Sequence, residues 1–293
     1  MTRPPPAFAG HTLDRADPIR SDPARLAELA HSEARVLRLE GLIPRLDDDQ
    51  RLQWGRLGDV EGEVVFLGLL DGEPLFAAVP TEGDPDPAYT RRETFTALGV
   101  LLPDELALYG GARSLLDWHA RHRFCPTCGG ATVLAKGGWQ RDCTGCGAQQ
   151  FPRTDPVTIM LVEHQGRVLL GRNARFPGRS YSALAGFIEP GETVEEAVAR
   201  EVFEEAGVRV RDVNYIASQP WPFPSQLMIA CHAYADDDAL TLDPTEIEDA
   251  QWFTREQVIE AFEKGPDSTS FVPPFTLAVA HHMLRWWLER NDA

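Results

Sequence analysis

Residues 186–208, GFIEPGETVEEAVAREVFEEAGV, put acids on a helix face that should be apolar. Val194, Val198, Glu201 and Glu205 follow one another at steps of four, three and four, so they share one stripe, and the valines mark that stripe as inward. A carboxylate pointing into a domain is costly to desolvate unless positive charge sits against it. Any fold containing this segment must therefore bring a cation to the stripe, and a divalent metal is the natural candidate. The helix boundaries are also readable. Thr193 and Glu196 form a capping box, Gly191 loosens the turn before it, and Gly207 supplies the left-handed stop. Glu192, Glu195 and Glu204 fall off the stripe or in the first turn and read as a solvated acidic face.

Four cysteines give the second constraint. Cys125-Pro-Thr-Cys128 and Cys143-Thr-Gly-Cys146 are two C-x₂-C knuckles separated by a glycine-containing 14-residue insert, close to zinc-ribbon spacing. A four-thiolate shell has no open position, so the zinc is expected to be structural. Two disulfides or a redox pair fit less well, since no secretory h-region is visible near the N-terminus. His119 and His122, just before the first knuckle, are expected on the surface of the preceding helix. Cys231, in a segment that reads as a strand, is expected to be a small core residue.

A net charge of −17, from 28 Lys and Arg against 45 Asp and Glu, argues against broad nucleic-acid binding, which depends on basic side chains neutralising phosphates. A local basic pocket is still compatible with that charge. Arg172, Arg175 and Arg179, with His164 and Arg167, lie upstream of the acidic helix and either steer an anionic substrate or are scattered loop charges. The longest apolar run, 64–70, is far short of a membrane span, so no membrane partner is expected and a cytoplasmic location is.

Residues 1–20 are proline-rich and are expected to be a flexible lead-in, followed by an N-terminal domain over 21–120. Within that domain 36–39, 64–70 and 75–79 read as strands, with a hairpin turn at DGEP, 71–74, and 106–122 reads as a helix. The ribbon spans 121–152 and a third region 153–293. There the pattern runs through strands at 157–162 and 168–170, the acidic helix, strands near 213–219 and 226–234, and helices near 254–264 and 275–290. Ser218 to Gln226 reads SQPWPFPSQ, and its three prolines bar it from a central strand. It is therefore a rigid loop or edge whose Trp221 and Phe223 either stack on a flat ring or plug a domain junction.

The nine specified positions of residues 186–208, Gly186, Glu192, Arg200-Glu201-Val202, Glu204-Glu205 and Gly207-Val208, resemble the Nudix box of hydrolases acting on nucleoside diphosphates linked to another moiety. With the cysteine ribbon before it and SQPWPFPxS after it, the chain resembles the NADH pyrophosphatase subfamily, which includes enzymes that remove the NAD cap from RNA. The resemblance implies an α/β fold: a Nudix α/β/α sandwich with a mixed sheet, preceded by a zinc ribbon and an N-terminal α+β domain.

It further implies Mg²⁺ or Mn²⁺ held by Glu201, Glu205, Glu246 and the Ala185 carbonyl, with Glu204 or Glu205 as base and Arg200 orienting the glutamates. Substrate contacts are implied at Phe151, Gln219, Pro220, Trp221, Pro222, Phe223, Pro224, Ser225, Gln226 and Ala280. Three positions depart from the pattern. Gln226 stands where the motif ends in Ser, Phe151 stands where the family commonly has Tyr, and Gly138 stands where some members contact substrate through Glu. The implied reaction is metal-assisted hydrolysis of NADH or NAD⁺ to AMP and nicotinamide mononucleotide, or of the NAD cap at an RNA 5′ end, by a homodimer. Another Nudix substrate such as ADP-ribose, or a non-catalytic nucleotide-sensing module, is the alternative. The intact set of box carboxylates disfavours the sensing module.

Overall fold

The computed structural model describes residues 4–83, 87–174 and 178–290, of which 87–92 by backbone alone. The steering role considered for Arg175 lies outside the described residues. The chain divides into two units, one comprising Met1–Ala7, Asp155–Gln219 and Gln226–Ala293, the other Phe8–Thr154 and Pro220–Ser225.

The first unit is built on a mixed sheet, in the order Val210–Trp221, Gln226–Ala235, Asp155–His164, Arg167–Arg172, Asp249–Thr254. Asp155–His164 runs parallel to Gln226–Ala235 and antiparallel to Arg167–Arg172 and to a short extra strand, Leu184–Phe187. Strand periodicity separates two cores. Met160 and Val162 face Val198, Val202 and Ala206 of the helix Val194–Ala206. Ile159 and Leu161 face the opposite layer, Val258 and Ala261 of Arg255–Lys264 with Met283, Leu284 and Trp287 of Val279–Glu289. Helices thus cover both faces of a mixed sheet, the sandwich anticipated from the box. Pro220 and Trp221 end the edge strand, where a missing N–H is tolerated. Cys231 is buried in the core, as expected.

In the second unit a four-stranded sheet has the order Trp54–Arg56, Arg35–Leu37, Glu73–Ala78, Val64–Leu70. The hairpin between its last two strands turns at Asp71 and Gly72, both at positive φ as a tight two-residue turn requires. The helix Pro103–Arg121 leads to the ribbon strands Thr132–Ala135, Gln140–Cys143 and Gln149–Gln150. His119 corrects the sequence reading. It is fully buried, its Nε2 lies 2.6 Å from the Gly138 carbonyl and its Nδ1 lies 3.0 Å from Nη1 of Arg141, which also pairs with Glu63. Burial pushes its pKa down to about 4, so the neutral ring serves as a hydrogen-bonding strut inside the unit.

A buried polar group also ties the last helix of the first unit to the sheet. The Glu163 carboxylate accepts from Trp287 Nε1 at 3.0 Å, lies 2.8 Å from His232 Nε2, and has Arg290 Nη1 at 3.6 Å. Glu163→Ala leaves those groups without their common acceptor and is expected to lower unfolding free energy by about 3 kcal/mol, which chemical denaturation of the full chain measures.

Candidate active site

The acidic helix is capped as its sequence demands. Thr193 Oγ1 accepts from Glu196 N while the Glu196 carboxylate accepts from Thr193 N, and Gly207 ends the helix at φ 72°. Val194 is half-buried, and Val198, Glu201 and Glu205 are buried, so the stripe faces inward as read from its spacing. Glu201 occupies space that only a glycine can leave. A Cβ added to Gly186, on the strand Leu184–Phe187, would lie 1.9 Å from the Glu201 carboxyl carbon. The first glycine of the box is needed for room and not for backbone freedom.

Arg200 gathers the acids. Its Nε and Nη2 grip Glu192 in a bidentate pair at 2.6 and 2.8 Å, and its Nη1 donates to Glu201 at 2.8 Å and to Glu204 at 3.0 Å. Nη2 also donates to the Phe187 carbonyl at 2.9 Å, fastening the helix to the strand that carries Gly186. Such charge-assisted forks impose orientation as well as attraction. The guanidinium holds Glu192 well below the usual carboxylate range. Glu192 is therefore no solvated-face acid, because its side chain is largely covered and committed to Arg200.

Glu205 receives no such help. It is buried, and its Oε2 has no hydrogen-bond partner among the described residues. Burial first, then the charges of Glu201, Glu246 and Glu204, push its carboxyl up to about 8. Burial also raises Glu201, against the pull of Arg200. Glu246 sits exposed in the turn 244–246, and Ala185 is half-buried, paired with Ile159. These carboxylates do not close into a tight cluster. Among the described residues, the set of three or more candidate ligand groups with donor atoms all within 4.8 Å is the four cysteines. An orphaned buried oxygen beside mutually repelling acids nevertheless suits a hard divalent cation, which takes carboxylate oxygens and retains water. The donor set fits such an ion.

The cysteines do converge. Cys128 Sγ lies 3.4 Å from Cys143 Sγ, and Cys125 Sγ lies 3.8 Å from Cys146 Sγ, with all four unpaired by disulfides. Sulfurs around one tetrahedral zinc stand about 3.8 Å apart, given Zn–S of about 2.3 Å. The Cys128 and Thr127 amides lower the Cys125 thiol and those of Cys146 and Gly145 lower Cys143, while the neighbouring sulfurs push Cys128 up, the mutual repulsion of crowded thiolates that a bound metal would relieve.

The residues singled out for substrate fall in different surroundings. Trp221 is half-buried and Phe223 buried, both packed edge-on against Phe8 or tilted against Phe95, with Arg113 over the Phe223 ring and donating to the Pro222 carbonyl at 3.0 Å. Pro220 and Pro224 are exposed, and Ser225 Oγ donates to the Arg153 carbonyl at 2.7 Å. Gln219 is buried with its carboxamide fully engaged, Nε2 donating to the Ala7 and Leu277 carbonyls and Oε1 accepting from Val279 N. Gln226 is half-buried and pairs with Asp155, while Ala280, on the last helix, is buried in the core. Phe151 is 59% exposed. Gly138 cannot carry a side chain here, since at φ +93° its Cβ would lie 2.4 Å from Val65 Cγ1. Arg172 pairs with Glu248, Arg167 pairs with Asp238 and Arg179 donates to the Ser268 and Thr269 carbonyls. These arginines are engaged in holding loops. Phe187 went unnoticed in the sequence. It follows Gly186, its carbonyl is fixed by Arg200, and its ring is 53% exposed. An aromatic directly after the box glycine was its signal.

Glycine-cradled Glu201, clamped Glu192 and buried Glu205 give the box helix its geometry. A family model of the NUDIX domain matches residues 152–275, the NADH pyrophosphatase zinc ribbon domain matches 120–151, and the NADH pyrophosphatase-like rudimentary NUDIX domain matches 29–118. The chain is 42% identical to human NAD-capped RNA hydrolase NUDT12 over 88% of its length, and spans about half, 54%, of that relative. It is 37% identical to NAD-capped RNA hydrolase NudC of Mycobacterium bovis, covering 94% of this chain and 92% of the relative. Among solved structures, a NUDIX hydrolase from Nitrosomonas europaea aligns with 57% of this chain and 92% of its own, at 25% identity and a TM-score of 0.46. The chain belongs to the Nudix hydrolase family.

Gly186→Ala should displace Glu201 and weaken Mn²⁺ binding about tenfold or more while leaving zinc content unchanged; paramagnetic titration with Mn²⁺ checks this. Elemental analysis should find one zinc per chain, and Cys128→Ser should lose it together with several degrees of Tm.

Proposed function

We propose that this chain hydrolyses the pyrophosphate linkage of NADH and NAD⁺, yielding AMP and reduced or oxidised nicotinamide mononucleotide, and removes the NAD cap from RNA 5′ ends to leave a 5′-monophosphate. The observation that carries the reading is the buried Glu205 Oε2, without a hydrogen-bond partner among the described residues, beside the Arg200-clamped Glu201. Glu201, Glu205, Glu246 and the Ala185 carbonyl are assigned to holding Mg²⁺ or Mn²⁺. When bound, the ion neutralises phosphate charge and acidifies a water. Arg200 keeps Glu201 and Glu204 oriented, and Glu204 or Glu205 accepts the proton of the attacking water. Phe151 and the half-buried Trp221 are assigned to the flat rings of the dinucleotide, since stacking needs an accessible face. Phe151 lacks a hydroxyl, so its contribution is confined to stacking. Pro220, Pro222, Phe223, Pro224 and Ser225 hold Trp221 in place, while Gln219, Gln226 and Ala280 support the ends of the same loop and the neighbouring helix. The names of the human and mycobacterial relatives support the NAD-cap specificity. Among the described residues no helix is long and apolar enough to cross a membrane. A cytoplasmic homodimer is part of the proposal.

Purified protein incubated with Mg²⁺ or Mn²⁺ should cleave NADH, NAD⁺ or NAD-capped RNA in preference to ADP-ribose, and Glu205→Gln should cut the rate by about 100-fold or more. Preferred cleavage of ADP-ribose would replace the substrate assignment. A Gln variant as fast as the parent would remove Glu205 from the mechanism.

A further inference from the structure

The second unit holds a cavity of about 540 Å³ between the strand Arg35–Leu37, the segment that follows it and the end of the strand Glu73–Ala78. That volume falls within the range of small-ligand pockets. Its charged lining residues are Arg38 and Arg45, with no carboxylate among the lining groups, in a chain whose acids outnumber its bases 45 to 28. Gln53 supplies a third polar side chain, and Leu39, Val60 and Pro80 supply apolar walls.

The polar residues are held by a closed ring of backbone hydrogen bonds. Arg38 N donates to the Gln53 carbonyl at 3.0 Å, Gln53 N to the Arg45 carbonyl at 2.9 Å, and Arg45 N to the Arg38 carbonyl at 3.0 Å. The three Cα positions are therefore fixed together, so little backbone ordering would accompany ligand capture. Gly55 leaves room for the Arg38 stem, since a Cβ there would lie 2.8 Å from Arg38 Cδ. Among the described residues the Arg38 guanidinium has no carboxylate partner. Arg45 has one, Glu40 at 3.1 Å, but both side chains are exposed and such pairs are weak. Two guanidinium forks beside an apolar wall match a phosphate attached to an uncharged, largely flat body.

We propose that this cavity is a binding site, separate from the acidic helix, for a phosphate-bearing small molecule of nucleoside monophosphate size. The phosphate lies against Arg38 and Arg45, Gln53 hydrogen-bonds the polar rim, and Leu39, Val60 and Pro80 cover the base or sugar face. The site does not depend on which dinucleotide the acidic helix acts on.

Equilibrium dialysis of the full-length protein against labelled AMP, with zinc retained and no Mg²⁺ or Mn²⁺ added, tests it. The R38Q/R45Q double variant, whose changes lie at exposed positions, should bind one AMP fewer per chain than wild type, with zinc content and NADH hydrolysis unchanged. Adenosine should compete at least about tenfold less well than AMP at this site, reflecting loss of the charge-assisted phosphate contacts. A double variant with the stoichiometry and affinity of wild type would overturn the proposal. So would adenosine competing as well as AMP, or wild type taking up no AMP below about 1 mM.

Discussion

The fork between Arg200 and its acids is the interaction on which the site depends. Five hydrogen bonds from one guanidinium reach Glu192, Glu201, Glu204 and the Phe187 carbonyl, so a single side chain joins helix, preceding loop and neighbouring strand. Lysine could not replace it, because a point charge cannot satisfy three carboxylates and a carbonyl at once. The fork leaves Glu205 out. One buried carboxylate oxygen is thus left without a hydrogen-bond partner among the described residues while Arg200 offsets part of its neighbours' charge, an arrangement that suits a cation.

Space is managed as tightly as charge. Gly186 lets the Glu201 carboxylate lie against the strand, and Gly138 lets the ribbon turn close on Val65 while its carbonyl meets His119. In both cases the absent Cβ is the functional feature. Gly138 also accounts for the missing acid at that position: a side chain there would collide with the N-terminal sheet before it reached any ligand.

Much of the site was legible because its determinants are local. Helical spacing set Val194, Val198, Glu201 and Glu205 on one face, the Thr193–Glu196 box and Gly207 set the ends, and two C-x₂-C knuckles set the metal shell. Glu192 was misread as solvated because its partner comes eight residues later, beyond the reach of helical-neighbour rules. His119 was misplaced for the same reason, its contacts at Gly138 and Arg141 lying 19 and 22 residues away. Phe8, in a stretch with no periodic pattern, is buried against Trp221 and Phe223, more than two hundred positions distant.

By itself the amino-acid sequence determined the acidic helix, its caps, the cysteine shell and much of the succession of strands and helices along the chain, since these follow from side-chain period and short-range hydrogen bonding. Tertiary structure decided which acids Arg200 holds, why Gly186 and Gly138 must lack a Cβ, and that Arg38, Arg45 and Gln53 meet at one cavity. Those outcomes rest on distances between residues remote in the chain, and desolvation and Coulomb energies depend on that separation in space, not on position in sequence.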